Sequence, residues 1–220
     1  MRERDTAGTG MTSQRTQDRL VDALARQGVG DERVLSALRA VPRHLFVDEA
    51  LESRAYENTP LPIGEGQTIS QPWVVARMTE LLLEAGDLRR VLEVGTGSGY
   101  QVAVLARLVP QVYTVERLGS LLRKARERLR QAQATNVQTR HGDGFEGWPE
   151  YAPYDGILVT AAPETLPTAL LEQLGDGGRL VAPLGGAGYQ ELTVVDREGE
   201  HLRRRRVAGV SFVPMRQGRA

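Results

Sequence analysis

The stretch that decides the fold is Val91-Leu92-Glu93-Val94-Gly95-Thr96-Gly97-Ser98-Gly99-Tyr100. Residues of strand character lead into three glycines at alternate positions, and apolar residues at helical spacing follow as far as Pro110. This order predicts a strand, a tight turn and a helix, by which an α/β sheet brings backbone N–H groups and a positive helix end to a ligand. The motif is not the dinucleotide fingerprint, because Tyr100 stands where that pattern requires glycine.

The alternation of strand and helix patterns after this stretch predicts an α/β fold with a doubly wound, mostly parallel sheet of seven strands. No helix pattern separates the last two strands, and Glu198-Gly199-Glu200 is typical of a turn, so we expect an antiparallel hairpin there. The predicted strands cover residues 91–95, 112–116, 136–140, 155–160, 178–183, 190–196 and 207–213. The predicted helices between them cover residues 99–109, 118–133 and 164–174.

The first 86 residues predict helices and one long loop instead of a sheet. Residues 54–69 are rich in glycine, proline and polar side chains, and we expect a loop there. Helices are predicted at residues 16–27, 31–41, 48–53 and from Ser70-Gln71-Pro72 to about 85. The chain is therefore predicted to comprise a disordered extension at 1–13 and a single domain at 14–220, made of a helical prelude at 14–86 and an α/β core at 87–220.

Composition removes several classes of function. Twenty-eight basic and 28 acidic side chains give a net charge of zero, so no overall field favours nucleic acid or an anionic membrane. The absence of cysteine excludes disulfides, cysteine nucleophiles and thiolate metal sites. No apolar run approaches the roughly 20 residues of a membrane span, and no hydrophobic signal region follows the N-terminus. We expect a cytoplasmic, monomeric protein.

Three acidic residues follow or lie on predicted strands and suggest a nucleoside ligand. Glu116 comes about 20 residues after the glycines, where a carboxylate can accept both ribose hydroxyls, although a solvated strand end would also place a glutamate there. Asp143 stands between two glycines and can accept from an adenine amine, although Asp-Gly is also a common turn pair. Ribose and adenine without a phosphate motif favour S-adenosylmethionine. Glu93 could then stabilise its cationic end, because a charge in an apolar strand is costly unless it is paired or used.

The loop at residues 60–72 suits an anionic substrate group. Its one charged side chain is Glu65, whereas Gln67, Thr68, Ser70 and Gln71 offer uncharged hydrogen-bond donors. Ser70 has two interpretations: it caps the helix that begins near Pro72, or it binds substrate. It lacks the Gly-x-Ser-x-Gly surroundings of a serine nucleophile.

Several blocks of the chain match one enzyme family. The most specific is the loop Pro60-Leu61-Pro62-Ile63-Gly64-x-Gly66-Gln67-Thr68-Ile69-Ser70-x-Pro72, whereas the glycine turn is shared by many methyltransferases. On these blocks, over residues 15–215, the chain resembles the protein-L-isoaspartate O-methyltransferase family. The other blocks are Val41-Pro42-Arg43-x-x-Phe46-Val47, Ala55-Tyr56, Val115-Glu116-Arg117, Gly142-Asp143-Gly144, Tyr154-Asp155-Gly156-Ile157-x-Val159-Thr160-Ala161-Ala162, Gly177-Gly178-Arg179-Leu180-Val181-x-Pro183 and Val213-Pro214.

The resemblance implies a Rossmann-like, class I S-adenosylmethionine methyltransferase that repairs proteins. Damage at Asp and Asn moves the peptide bond to the side-chain carboxyl and leaves the α-carboxylate free. The enzyme methylates this α-carboxylate. The resulting ester then closes to a succinimide. The implied partners are isoaspartyl-containing proteins and peptides, with no nucleic acid, membrane or metal ion. Ser70 is the implied catalytic residue, which orients the carboxylate or the cofactor by hydrogen bonding.

These motifs and the resemblance together define the candidate site. No general base is required, because a carboxylate is already ionised at neutral pH. The cofactor S-adenosyl-L-methionine is expected to contact Gln67, Thr68, Ile69, Ser70, Glu93, Gly95, Gly97, Gly99, Glu116, Arg117, Asp143 and Gly144. The substrate is expected to contact Ile63, Ser70, Thr160, Ala161, Ala162 and Val213.

Two other functions are compatible with the cofactor motifs. One is an S-adenosylmethionine-dependent methyltransferase that acts on RNA or a small molecule, and the other is a cofactor-binding module without catalysis. The chain has no cysteine and no Asn-Pro-Pro-Tyr-type loop, which argues against RNA, whereas the block at residues 67–70 argues against a small molecule and against a module without catalysis. The basic run His201–Arg206 is interpreted as the solvated edge of a hairpin, with a contact to acidic chains or nucleic acid as the alternative.

Overall fold

The structure, a computed structural model, describes residues 8–186 and 188–220. Its N-terminal part forms helices and a small hairpin, because apolar side chains at helical spacing bury one face of each early helix. These elements are α1 (Gln14–Arg26), α2 (Glu32–Ala40), β1 (Leu61–Gly64), β2 (Gln67–Ile69) and α3 (Pro72–Leu83). Short 3₁₀ helices lie at Gly10–Thr12, Arg43–Phe46 and Glu49–Arg54, and the last of them occupies the place of the short helix predicted at 48–53.

The rest of the chain forms the predicted seven-stranded sheet. The strands are β3 (Arg90–Val94), β4 (Gln111–Glu116), β5 (Val137–His141), β6 (Tyr154–Val159), β7 (Leu174–Leu184), β8 (Gln190–Glu198) and β9 (His201–Val210). The helices are α4 (Tyr100–Leu105), α5 (Gly119–Gln131) and α6 (Thr168–Gln173), with 3₁₀ turns at Gly144–Glu146 and Pro149–Tyr151. The strand order β5-β4-β3-β6-β7-β8-β9 is parallel up to β7 and antiparallel for β8 and β9, which confirms the predicted fold class.

Strand β3 lies inside the sheet and is buried on both faces, so its sequence is a nearly continuous apolar run. Val91 belongs to the hydrophobic cluster on one side of the sheet, together with Leu158 of β6 and residues of α1 to α4. Leu92 belongs to the cluster on the other side, which it shares with Ile157. Successive side chains therefore point to opposite layers, and β3 is held between β4 and β6 with its end buried in the molecule.

The expectation of a loop across residues 54–69 is wrong in its second half, where β1 and β2 pair antiparallel. Leu61 lies opposite Ile69, and the turn between the strands uses Glu65 with a positive φ of 55°. The hairpin is very short, but Ile63 and Ile69 are buried in the core. Burial of these side chains stabilises a pairing that the glycine- and proline-rich composition does not indicate.

Several predicted boundaries are wrong, among them the start of α6, at 168 instead of 164, and the end of β9, at 210 instead of 213. Strand β9 begins at 201 and not at 207, because the basic run pairs along its backbone with β8. Helix α4 ends at 105 instead of 109, and β7 begins at 174, where a helix was predicted to end. Of the extension expected to be disordered, residues 1–7 lie outside the described part, and Gly10–Thr12 forms a 3₁₀ turn. No helix within 8–186 and 188–220 has the length and apolar character to cross a bilayer.

A close approach between α3 and β6 allows a test of the packing. A Cβ at Gly156 would lie 3.1 Å from Leu82 Cδ1 and 3.3 Å from Leu88 Cδ1. We therefore expect Gly156→Val to lower the free energy of unfolding by about 1–3 kcal/mol, measured by urea denaturation. The control is Gly209→Val in β9, where a Cβ would meet no atom within 4 Å; its change is expected to stay within about 0.5 kcal/mol. Equal losses in both variants would contradict the proposed packing.

Candidate active site

The carboxyl ends of β3, β4 and β6 are joined by hydrogen bonds at the glycine turn. The Gly95 N–H donates to the Val115 carbonyl over 2.8 Å. The Thr160 hydroxyl donates to the carbonyls of Val94 and Gly95 over 3.0 and 2.6 Å. Gly95 has a φ of 100°, and a Cβ there would lie 2.5 Å from Thr160 Oγ1, so no other residue fits this position without displacement.

Glu116 ends β4 and faces the cleft beside this turn. Its Oε2 accepts from the Gly97 N–H at 2.8 Å, and its Oε1 accepts from the Leu118 N–H at 2.9 Å. Two backbone donors therefore fix the orientation of the carboxylate. Each oxygen has a second lone pair for a ligand hydroxyl, so the geometry fits the vicinal hydroxyls of a ribose.

A cleft at these strand ends brings together most of the residues that the sequence assigned to the site. The members of its wall that were predicted are Gln67, Thr68, Ile69, Ser70, Gly95, Gly97, Glu116, Arg117, Gly144, Thr160, Ala161 and Val213. Sequence reasoning missed others, among them Tyr100, Gln101, Met215 and Arg216. The latter two follow directly after the Val213-Pro214 block, and their adjacency was the one signal available for them.

Three of the predicted contact residues, Ile63, Gly99 and Ala162, do not line the cleft. Ile63 is fully buried, and its Cδ1 would lie 3.6 Å from a Cβ on Gly97. The backbone of Ala162 bonds the C-terminal segment instead, with its N–H on the Val213 carbonyl at 2.8 Å. Gly99 is the N-cap residue of α4, in the left-handed conformation.

Glu93 lies behind the cleft, where it is fully buried. Its Oε2 accepts from the Thr114 hydroxyl at 2.6 Å, and Thr114 is 2.7 Å from Thr96 Oγ1. Its Oε1 forms no hydrogen bond with any residue that the structure describes. Burial raises the pKa of Glu93 to about 8, and the negative charge of Glu116 acts in the same direction. Without a ligand the protonated acid is favoured at pH 7, and a role of Glu93 beside a cationic ligand end stays a prediction.

Asp143 is held by two backbone donors and does not belong to the cleft wall. Its Oδ1 accepts from the Phe145 N–H at 2.9 Å, and its Oδ2 accepts from the Gly218 N–H at 2.6 Å. A Cβ on Gly144 would lie 2.6 Å from Val94 Cγ1 and 3.0 Å from Met215 Cε. Val94 and Met215 therefore pack so closely against Gly144 that a side chain would not fit there, and Gly144 and Met215 both line the cleft.

The interpretation of Ser70 as a helix cap is wrong. Helix α3 begins at Pro72, and its N-cap residue is Gln71, which makes no side-chain capping bond. The Ser70 hydroxyl forms no hydrogen bond with a described residue, whereas its carbonyl accepts from Arg43 Nη2 at 2.9 Å. Since Ser70 also lines the cleft, the hydroxyl is free to bind a ligand there.

A second cavity adjoins the cleft and shares Thr68, Ser70, Thr160 and Val213 with it. Aromatic and aliphatic side chains form much of its wall, and no charged side chain of the described residues takes part in it. The members that sequence reasoning did not find include Trp73, Val74, Tyr189, Gln190, Val210 and Phe212. Adjacency to Pro72 and to Val213 was the one signal available for Trp73, Val74 and Phe212, whereas no local pattern indicated Tyr189 and Gln190.

The sheet order, the glycine turn and the ribose-compatible Glu116 define a class I S-adenosylmethionine-dependent methyltransferase. Solved structures agree with this class. A protein-L-isoaspartate O-methyltransferase superposes with a TM-score of 0.83 at 28% identity, over 90% of this chain and 65% of that one. The beta-aspartate methyltransferase (PCMT) of Plasmodium falciparum, solved with S-adenosyl-L-homocysteine, gives 0.80 at 25% identity, over 91% and 98%.

Sequence comparison narrows the class to one family. The family model Protein-L-isoaspartate(D-aspartate) O-methyltransferase (PCMT) matches residues 14–220. The protein-L-isoaspartate O-methyltransferase of Halorhodospira halophila is 80% identical over 219 residues and all of both chains. That of Alkalilimnicola ehrlichii is 64% identical over 212 residues, 96% of each chain. The chain belongs to the protein-L-isoaspartate O-methyltransferase family.

The raised pKa of Glu93 predicts how stability changes with pH. The folded state holds this proton up to about pH 8, whereas an unfolded glutamate loses it near 4.5. The stability that the protonated acid contributes is therefore present below about pH 4.5 and is lost as the pH rises toward 8. Glu93→Gln cannot ionise, so its free energy of unfolding should increase relative to the wild type across this interval.

Urea denaturation of the ligand-free protein at several pH values measures this difference. The control is Glu127→Gln on the exposed side of α5, for which the difference from the wild type is expected to stay constant. A constant difference for Glu93→Gln as well would show that Glu93 ionises normally in the folded protein.

Proposed function

We propose that the protein uses S-adenosyl-L-methionine to methylate the free α-carboxylate of L-isoaspartyl residues in damaged proteins and peptides. The observation that carries the proposal is the junction of the two cavities. Ser70 and Thr160 line both, so a nucleoside-binding cleft opens at these residues into an uncharged space. The family match over residues 14–220 supports the same reaction.

The residues present fit the cofactor. Glu116 would hold the ribose hydroxyls, and the part of the cleft that Gly144 and Met215 line would take the adenine ring. Gly95 and Gly97 let the backbone approach the ligand closely. When bound, S-adenosyl-L-methionine supplies an activated methyl group on a positively charged sulfur. Asp143 would take part through the lone pairs that its bonds to Phe145 and Gly218 leave open.

The chain has to orient the substrate carboxylate and does not have to deprotonate it. An α-carboxylate is ionised at neutral pH, and the second cavity presents no charged side chain to it. Ser70 offers a hydroxyl donor, and helix α3, which begins two residues later, contributes the positive end of its dipole. Positioning two bound reactants in line can contribute roughly 7–11 kcal/mol to lowering the barrier. We assign Ser70 to orientation of the carboxylate.

An extended polypeptide fits the second cavity better than RNA does. RNA binding relies on basic side chains along the phosphate backbone, and none lines this space. The basic run of β9 is largely neutralised, because Arg203, Arg205 and Arg206 pair with glutamates at 3.4, 2.8 and 3.1 Å. We therefore propose no nucleic-acid or membrane partner, and we propose that residues 14–220 act as one domain of a monomeric, cytoplasmic enzyme.

Two peptides that differ at one residue test the reaction. With labelled S-adenosyl-L-methionine, we expect a base-labile methyl ester on the isoaspartyl peptide and none on the aspartyl peptide. The difference follows because only the isoaspartyl linkage leaves a free α-carboxylate at that residue. Cofactor binding without transfer to either peptide would contradict the proposed substrate and direct the search to small molecules and RNA.

Ser70→Ala tests the role of the hydroxyl. Loss of a hydrogen bond to a charged group is worth about 1.5–3 kcal/mol, so kcat/KM for the isoaspartyl peptide should fall roughly 10- to 100-fold. Cofactor affinity, measured by calorimetry, should change much less. Ser53→Ala, an exposed serine outside both cavities, serves as the control and should keep full activity. Unchanged turnover in Ser70→Ala would remove this residue from the mechanism.

A further inference from the structure

Arg43 is fully buried and lies directly behind the substrate loop. Its Nε donates to the Ala55 carbonyl at 2.8 Å, and its Nη2 donates to the carbonyls of Ser70 at 2.9 Å and Thr59 at 3.5 Å. One guanidinium therefore contacts the beginning, the middle and the end of the segment 55–70. This segment carries the β1–β2 hairpin and ends at the proposed catalytic serine.

The same guanidinium also contacts the cofactor side of the cleft. Its central carbon lies 4.9 Å from the centre of the Tyr100 ring. Tyr100 is buried, lines the cleft, and is the first residue of α4 after the glycine turn. Because a cation over an aromatic face is attracted by the ring, Arg43 couples the position of the substrate loop to that of the glycine turn.

Burying an arginine without a carboxylate partner costs free energy, so a purely structural role would not favour this residue. No ion pair among the described residues includes Arg43, and its Nη1 forms no hydrogen bond with any of them. Burial lowers the pKa of Arg43 to about 10, so the side chain is still charged at neutral pH. The Ala55 and Ser70 carbonyls offset part of the cost of burying this charge, but no carboxylate offsets it among the described residues.

We infer that Arg43 is a positioning residue for methyl transfer: by binding the Ser70 carbonyl and the Tyr100 ring, it fixes the Ser70 hydroxyl relative to the cofactor turn. The inference rests on the proposed function. Lysine cannot replace arginine in this role, because its single ammonium lacks the planar fork that reaches Ala55 and Ser70 in fixed directions. Misplacement of a reacting group by about 1 Å can cost roughly 100-fold in rate.

The first measurement tests whether Arg43 holds the segment, and it does not depend on activity. In hydrogen–deuterium exchange of the ligand-free protein, we expect Arg43→Lys to accelerate exchange within residues 55–70 and to leave β7 and β8 unchanged. The matched control is Arg179→Lys, a largely buried arginine that bonds Asp196 and the Leu81 carbonyl, and it should not affect residues 55–70. Unchanged exchange in this segment of Arg43→Lys would overturn the inference.

The second measurement is a double-mutant cycle with Ser70→Ala. We expect Arg43→Lys to lower kcat for the isoaspartyl peptide at least about 10-fold while cofactor affinity changes less than about threefold. In the Ser70→Ala background, the same change should cost less than about threefold, because no hydroxyl is left to position. Arg179→Lys should have the same effect in both backgrounds. Equal costs of Arg43→Lys in both backgrounds would overturn the inference.

A second variant separates failure to fold from failure to position. Arg43→Met fills a similar space but removes the charge and every donor, so its urea denaturation is compared with that of Arg43→Lys to establish that each variant still folds. It should show the same loss of kcat and the same dependence on Ser70. A wild-type protein that transfers no methyl group to the isoaspartyl peptide would refute the proposed function, whereas the exchange measurement would still decide whether Arg43 holds the loop.

Discussion

The cleft depends on one junction at the carboxyl end of β3, where the Thr160 hydroxyl binds the carbonyls of Val94 and Gly95. Strands β4 and β6 lie on opposite sides of β3, so the connections that leave these strands diverge and open a crevice. The crevice has a defined shape because the Gly95 N–H also binds β4 at Val115. Glu116 and the C-terminal segment take their positions from this junction.

Two ionisable side chains lie behind the walls of the site, whereas Glu116, Arg117 and Arg216 line the first cleft. Glu93 lies under the glycine turn and Arg43 behind the substrate loop, and both are fully buried. Each is held by hydroxyls or carbonyls and not by an opposite charge. The second cavity, by contrast, presents no charged side chain. This distribution suits a reaction in which an ionised nucleophile meets an activated methyl group and the protein contributes orientation instead of proton transfer.

Local patterns predicted much of the fold and part of the site. The alternation of apolar runs and glycine turns indicated the parallel sheet, and Glu116 could be placed because strand ends in such a sheet share one edge. The β1–β2 hairpin was missed because its pairing is stabilised by burial of Ile63 and Ile69, which composition does not reveal. The start of β9 was placed too late because the basic run, interpreted as the solvated edge of the hairpin, has no apolar strand pattern, whereas backbone pairing with β8 begins at His201.

The sequence by itself determined the fold class, the glycine turn and the family to which the loop at residues 60–72 points. Each of these depends on the spacing between neighbouring residues. Only the tertiary structure decided that Asp143 binds Gly218, that Arg43 binds Ser70, and that Glu93 lies behind the cleft. These outcomes depend on which distant segments pack together and how far each group is removed from water. Long-range packing and burial are properties of the folded chain, and neither produces a periodic pattern in the sequence.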